Sequence, residues 1–257
     1  MYDIVIVGAG MAGLTAGIYV ARAGKSVLVL EAGVMGGQIV NALAVENWPG
    51  NYKISGTDLM QKIYEQATDL GVKVEYEEVE EIAKVGDGFV VTTDDAEYKA
   101  GVVILAMGTK PRKLSEKQTE DAGERPISYC ATCDGALYKG KPVVVVGSGN
   151  TAKHEIKYLE GIASKVYHIH HDDPIPEDAE AVFAAIGRVP ETKFLGDLVK
   201  MDSEGYIVAS EDCMTSCPGV FVAGDCRTKS TRQLVTAAGD AAVAAEAAIE
   251  FLGKKNG

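Results

Sequence analysis

The chain has 257 residues, one large domain or two small ones, and 47% of them are hydrophobic, enough to bury a packed core. Its 25 Lys and Arg against 37 Asp and Glu leave a formal net charge of −12, which argues against a nucleic-acid or anionic-membrane partner. No apolar run reaches the roughly 18–20 residues that span a bilayer, and an acid stands in MYDIVIVGAG where a leader would carry Lys or Arg, so the reading is a cytoplasmic protein.

In chain order, Tyr2–Val7 (YDIVIV) reads as a buried strand that ends in Gly8-Ala9-Gly10-Met11-Ala12-Gly13, and Leu14–Ala23 reads as a helix. Ser26–Leu30 is a second strand closing on Glu31, which completes a βαβ unit. Gly8 and Gly10 allow a tight turn and close approach of the backbone to a pyrophosphate at the helix N-terminus. Gly13 lets the helix pack on the strand, and Glu31 is placed to accept from ribose hydroxyls. A glycine turn alone is a weak signal, but here strand, helix and acid all fall where a dinucleotide needs them.

Next come Gly36-Gly37-Gln38, the turn Trp48-Pro49-Gly50 and a helix over Gly56–Leu70. Val72–Tyr76, Gly88–Thr93 and Tyr98–Lys99 read as a small antiparallel set, and Val102–Ala106 as a separate buried strand ending at Met107-Gly108. Lys141–Val146 leads into a second glycine turn, Gly147-Ser148-Gly149-Asn150-Thr151-Ala152, and a helix. The last third carries the strand Gly219–Ala223, then Gly224-Asp225, and an Ala-rich helix over Leu234–Leu252. Two glycine turns imply two nucleotide-type domains.

Five cysteines are too few for a secreted disulfide scaffold. Cys130-Ala131-Thr132-Cys133 carries the strongest chemistry: two thiols at this spacing form a disulfide that exchanges with a partner through a mixed disulfide. The bland alternatives are half a zinc site, for which further ligands would have to come from the distant Cys213, Cys217 or Cys226, and inert core thiols. Those three cysteines read as small buried hydrophobes, and no metal is expected. Asp134 directly follows the pair and can hand a proton to a departing thiolate.

Gly8 to Gly13, Gly36-Gly37-Gln38, Glu46-Asn47-Trp48-Pro49-Gly50, Cys130-Ala131-Thr132-Cys133-Asp134-Gly135, Ala223-Gly224-Asp225 and Arg232-Gln233-Leu234 through Asp240 stand in the order and spacing of the low-molecular-weight thioredoxin reductases, which the chain resembles over nearly its whole length. The resemblance implies an α/β flavoprotein with two Rossmann-like dinucleotide-binding domains. The FAD domain spans 1–112 and 188–257, and an NAD(P)-type domain carrying the dithiol spans 113–187. It implies FAD on Gly8, Gly10, Gly13 and Glu31, with Gly37, Gln38, Asn47, Gly108, Asp225, Arg232, Gln233 and Leu234 also in the cofactor site. It makes Cys133 the sulfur nearer the flavin and Cys130 the one that meets the disulfide of a thioredoxin-like protein. It also implies a homodimer through the flavin domain.

The chain departs from the family after its second glycine turn. Gly8 to Glu31 is 23 residues, and the same step from Gly147 reaches His170, within His168-Ile169-His170-His171-Asp172-Asp173. The family carries arginines there for the 2′-phosphate of NADPH, whereas imidazoles and carboxylates offer that phosphate less positive charge. Pro174 and Pro176 block a helix, and the strand Ala181–Ala185 follows too soon for an ordinary parallel crossover, so the second domain reads as shortened. His168 and His170 lie on one face of a strand, a pattern that suits a metal but more often a solvated or core pair. Three readings stay open: NADPH-dependent thioredoxin reduction with a rebuilt nucleotide site, a disulfide reductase fed by a ferredoxin or flavodoxin, and a truncation that binds FAD without turnover.

Overall fold

The computed structural model describes residues 1–255. Apolar, β-branched runs and amphipathic stretches alternate along it as β1 (Tyr2–Val7), α1 (Met11–Arg22), β2 (Val27–Leu30), α2 (Gly56–Asp69), β3 (Lys73–Glu75), β4 (Val79–Val85), β5 (Gly88–Thr93), β6 (Glu97–Leu105) and β7 (Thr109–Pro111). Then come α3 (Glu116–Ala122), β8 (Ile127–Ser128), α4 (Ala131–Asp134), β9 (Pro142–Val146), α5 (Asn150–Glu160), β10 (Lys165–Ile169), β11 (Ala181–Ala184), β12 (Arg188–Pro190), β13 (Val220–Val222) and α6 (Leu234–Lys255). The chain divides into two compact units, Met1–Thr109 with the chain from Pro190 onward, and Lys110–Val189. The short strands β7 and β12, at the two points where the chain passes between units, pair with each other.

In the first unit the strand order is β3-β2-β1-β6-β5-β4, with β13 also on β6. β1, β2, β3, β6 and β13 run parallel where they pair, so their carboxyl ends share one edge. Alternate residues serve opposite faces. Ile4, Ile6, Val102 and Ile104 pack under α1 and α6, while Val5, Val7, Val103 and Leu105 face a second cluster with Ile82, Phe89 and Val91. Small residues line the meeting of α1 with α6: Ala16, Ala241, Ala244 and Ala248 are fully buried.

The structure corrects two expectations from the sequence and adds a strand that the sequence reading did not name. The strand expected over Val72–Tyr76 does not join the antiparallel set; β3 pairs parallel with β2. Its place in the antiparallel set belongs to β4, whose VEEIAKV hides its period of two because the register slips between Val79 and Glu81. The strands expected over Tyr98–Lys99 and Val102–Ala106 are one strand, β6, antiparallel to β5 through Glu97–Ala100 and parallel to β1 up to Leu105. Gly101 interrupts the pattern without breaking the strand: a Cβ there would lie 3.0 Å from Asp3 O, so close backbone approach selects glycine.

The second unit is a four-stranded parallel sheet in the order β10-β9-β11-β8. Val143, Val145 and Phe183 pack with Ala131, Ala152 and Leu159, and Val144, Val146 and Val182 pack with Leu114, Ala122, Ile175 and Ala179. β10 and β11 are joined by only eleven residues, 170–180, with no helix, yet β11 still pairs parallel with β9. Gln118 of α3, fully buried, donates from Nε2 to His170 O at 2.9 Å and Asp173 O at 3.2 Å and so ties this connection down. Among the described residues no helix is long and apolar enough to cross a membrane.

Candidate active site

In the first unit the glycine turn between β1 and α1 sits at the carboxyl edge of the parallel strands, where open α/β sheets take ligands. Gly8 has φ +104°, and a Cβ on Gly13 would lie 1.7 Å from Gly8 O, so neither position accepts a side chain without moving the turn. Gly10 caps α1 without a side-chain hydrogen bond, and no acid stands in the first helical turn. The leading amides of α1 therefore face outward with the positive end of the helix dipole behind them, a fit for a diphosphate. Glu31, directly after β2, accepts from Ala9 N at 2.7 Å through Oε2 and from Gly33 N at 2.9 Å through Oε1.

The structure brings other expected residues to the same unit. Gly36 N donates to Ala9 O at 2.9 Å, which lays the Gly36-Gly37-Gln38 segment beside the first turn. Gln38 is the second residue of a short 3-10 turn, Gly37–Asn41, and its amide donates to Thr109 O. Asn47 Nδ2 donates to Gln233 Oε1 at 3.1 Å, joining segments 186 residues apart. Gly108, at φ +68°, follows the carboxyl end of β6. Past β13, Asp225 O accepts from Arg232 Nε at 3.1 Å, and Leu234 starts α6 packed against the core. These groups fit an extended dinucleotide cofactor: an uncapped helix N-terminus for its phosphates, a carboxylate at the tip of β2 for a ribose, and polar side chains further along.

Sequence reasoning missed Tyr206, whose ring lies 4.0 Å beneath the Arg232 guanidinium, and Asp240, whose carboxylate gathers Arg227 and Lys229. Tyr206 stands outside every motif, and Asp240 closes the motif that begins at Arg232 without a spacing that assigns it a role. Cys213, Cys217 and Cys226 are free and buried, as expected. Burial pushes the Cys213 thiol up to about 11 and the Cys226 thiol up to about 12, which keeps both protonated and unreactive.

The dithiol belongs to the second unit. Cys130 and Cys133 form a disulfide with their Cα atoms 5.3 Å apart. Cys130 is the N-cap of the one-turn helix α4 and is half-buried, while Cys133 within it is exposed. Ser128 fixes the turn from below: its Oγ donates to Asp134 Oδ2 at 2.7 Å and accepts from Cys130 N at 3.1 Å. Glu155 of α5, only 9% exposed, accepts from Ala131 N, and burial raises its carboxyl above the ordinary value.

The second glycine turn, at the end of β9, repeats the first with Ala152 where Gly13 stands. Gly149 caps α5, again without a side-chain bond or an early acid. The segment after β10 departs from the first unit. His168 Nε2 lies 2.6 Å from Gly147 O, and since a carbonyl only accepts, this ring nitrogen carries the proton. The His168 and His170 rings stand 5.3 Å apart, and His171 Nδ1 is 3.0 Å from Asp172 Oδ2. Among the described residues no group of three or more His, Cys, Asp or Glu is arranged to hold a metal ion.

The chain matches the pyridine nucleotide-disulphide oxidoreductase family over residues 2–179 and again over 172–242. The two matched stretches meet inside the short β10–β11 connection. Thioredoxin reductase of Listeria monocytogenes is 35% identical over 98% of this chain and 94% of its own length. That alignment runs over 300 positions, more than this chain's 257 residues, so the relative carries internal residues that are lacking here. The crystal structure of thioredoxin reductase from Streptococcus pyogenes superposes with a TM-score of 0.91 at 34% identity, covering 99% of both chains. A ferredoxin-flavin thioredoxin reductase from Clostridium acetobutylicum superposes with a TM-score of 0.65 at 28% identity, covering 99% of this chain and 98% of that one. The chain belongs to the pyridine nucleotide-disulphide oxidoreductases and, among them, to the thioredoxin reductases.

Proposed function

We propose that the protein is an FAD-dependent thiol-disulfide oxidoreductase in which Cys130 and Cys133 reduce a disulfide of a thioredoxin-like protein. The observation that carries this reading is the Cys130–Cys133 disulfide on a one-turn helix, in a chain of the thioredoxin reductase family. FAD, when bound, supplies two electrons to that disulfide. Gly8, Gly10 and Gly13 hold its diphosphate against α1 and Glu31 its adenosine ribose. Gly37, Gln38, Asn47, Gly108, Asp225, Arg232, Gln233 and Leu234 form the rest of the site.

The protein's own residues handle thiols and protons. Taking up two electrons and two protons breaks the Cys130–Cys133 bond and leaves two thiols. Asp134, oriented by Ser128 at 2.7 Å, exchanges protons with the departing sulfur. Cys130 as thiolate attacks the partner's disulfide, forms a mixed disulfide and releases one partner thiol. Cys133 then attacks the Cys130 sulfur, frees the second partner thiol and restores the starting bond.

A second reading concerns the electron donor, which we take to be a reduced ferredoxin or flavodoxin rather than NADPH. His168 through Asp173 favours it, because the end of β10 and the residues after it present imidazoles and two carboxylates where a 2′-phosphate needs fixed positive charge. A solved relative named as a ferredoxin-flavin enzyme supports the same choice. A cytoplasmic homodimer joined through the first unit completes the proposal. The test is anaerobic: the purified chain carries flavin absorbance that is bleached by reduced ferredoxin and not by NADPH or NADH. Absence of flavin after incubation with FAD would refute the assignment, and rapid bleaching by NADPH would return the donor to the nucleotide.

A further inference from the structure

Three of the expected cofactor contacts after β13, Asp225, Arg232 and Gln233, lie on one irregular stretch, Gly224 to Gln233, that leads into Leu234 at the start of α6 and has no regular secondary structure to hold its shape. Backbone bonds to Ile207 fix its middle, with Ile207 N donating to Cys226 O and Thr228 N to Ile207 O, both at 2.9 Å, and one carboxylate from α6 gathers its side chains. Asp240 Oδ2 accepts from Gly224 N at 3.1 Å and from Lys229 Nζ at 2.6 Å, and Oδ1 accepts from Arg227 Nη1 at 3.3 Å. The three charged side chains are only 11–17% exposed, so these contacts are little screened by solvent. The same stretch is then tied forward. Lys229 Nζ donates to Thr236 O at 3.3 Å, Thr236 Oγ1 accepts from Gln233 N at 3.1 Å, and Arg232 Nη2 donates to Arg227 O at 3.2 Å.

We propose that Asp240 is a positioning residue for the cofactor: with Lys229 and Arg227 it clasps the 224–233 stretch in the shape that presents Asp225, Arg232 and Gln233 to the flavin. The inference rests on the FAD reading, since those three residues matter only if a flavin is held. A peptide amide, an ammonium and a guanidinium from within six residues converge on one half-buried carboxylate, which joins the two ends of the loop that Ile207 holds in the middle. Removing that carboxylate leaves two half-buried cations, Arg227 and Lys229, without their counter-charge, which favours a looser loop that hydrates them. Removing Lys229 alone leaves Asp240 still bound to Gly224 and Arg227 but releases the tie to Thr236.

The experiment is FAD rebinding to apoprotein, followed by flavin fluorescence and by the visible spectrum at saturation. Asp240→Ala is expected to weaken FAD at least tenfold and to alter the shape of the visible band, which a general loss of stability would not do. Lys229→Met is expected to weaken FAD severalfold, and Lys229→Arg to restore it. The double variant is expected to bind no worse than Asp240→Ala alone, because both substitutions break one unit. If Asp240→Ala does not fold, the Lys229 pair carries the test. Asp240→Ala and Lys229→Met binding FAD within twofold of wild type, with unchanged spectra, would overturn the clasp while leaving the FAD reading intact. Wild-type protein that binds no FAD would overturn both.

Discussion

The carbonyl oxygen of Gly8 occupies the space that a side chain on Gly13 would need, 1.7 Å from where its Cβ would stand. Two glycines five residues apart thus enforce one another, and the turn holds the leading amides of α1 against the strand edge. Gly13→Ala is expected to cost about 3 kcal/mol, the upper end of ordinary overpacking, and to abolish flavin retention. Urea unfolding and visible absorbance after gel filtration check it, and a normal unfolding midpoint with bound flavin would contradict the turn geometry.

Thiol reactivity should separate the five cysteines into two classes. In the oxidised protein no thiol is expected to react quickly with a disulfide reagent, because Cys130 and Cys133 are bonded and the other three are buried. After mild reduction two should react quickly, while Cys213 and Cys226, held up to about 11 and about 12 by burial, stay slow until the protein is unfolded. Peptide mapping of the alkylated, reduced protein identifies the fast pair.

Cys133→Ser is expected to keep flavin, to lose disulfide reduction by at least a thousandfold, in line with loss of an essential nucleophile (~10³ or more), and to accumulate a covalent complex with a thioredoxin-like substrate through Cys130. Non-reducing electrophoresis reads the complex. Turnover near the wild-type rate, or a complex formed instead by Cys130→Ser, would reverse the assigned order of attack.

Glu155 makes a pH prediction with a definite sign. Its carboxyl is raised by burial, so the folded chain keeps this proton to higher pH than the unfolded chain does. The stability linked to it is complete below the unfolded value of about 4.3 and is lost as pH rises through the raised folded value. Glu155→Gln keeps an acceptor for Ala131 N and removes the charge. It should therefore leave the melting temperature unchanged near pH 4 and raise it by about 2–4 °C at pH 8, equivalent to about 1 kcal/mol. A variant that melts lower than wild type at pH 8 would show that the carboxylate is favourable where it sits.

The parts of the molecule that were legible in the sequence are those whose cause is local. The strand, glycine turn, helix and acid from Tyr2 to Glu31 lie where their residue types require, and so do the dithiol and the start of α6 at Leu234. What escaped depends on partners far away in the chain. A register slip hides the period of β4, Gly101 is required by Asp3 and Leu252, and β3 takes its direction from β2. In the candidate site the motif residues were readable one at a time. Their supports, Tyr206 under Arg232 and Asp240 under Lys229, were not, because a side chain's role as a neighbour has no spacing signature.

The eleven-residue connection between β10 and β11 is anchored by Gln118, which donates to His170 O and Asp173 O, and by Arg125, whose Nη1 donates to Pro176 O at 2.7 Å, and it packs with Leu114 and Ala122 from the chain ahead of β8. That apolar face of the sheet is therefore sealed jointly, by chain that precedes the redox turn and by the connection's own Ile175 and Ala179, with no helix between the strands. Ile175 and Ala179 of the connection are themselves part of that seal, so the short span between the two strands cannot lose them without opening the interior.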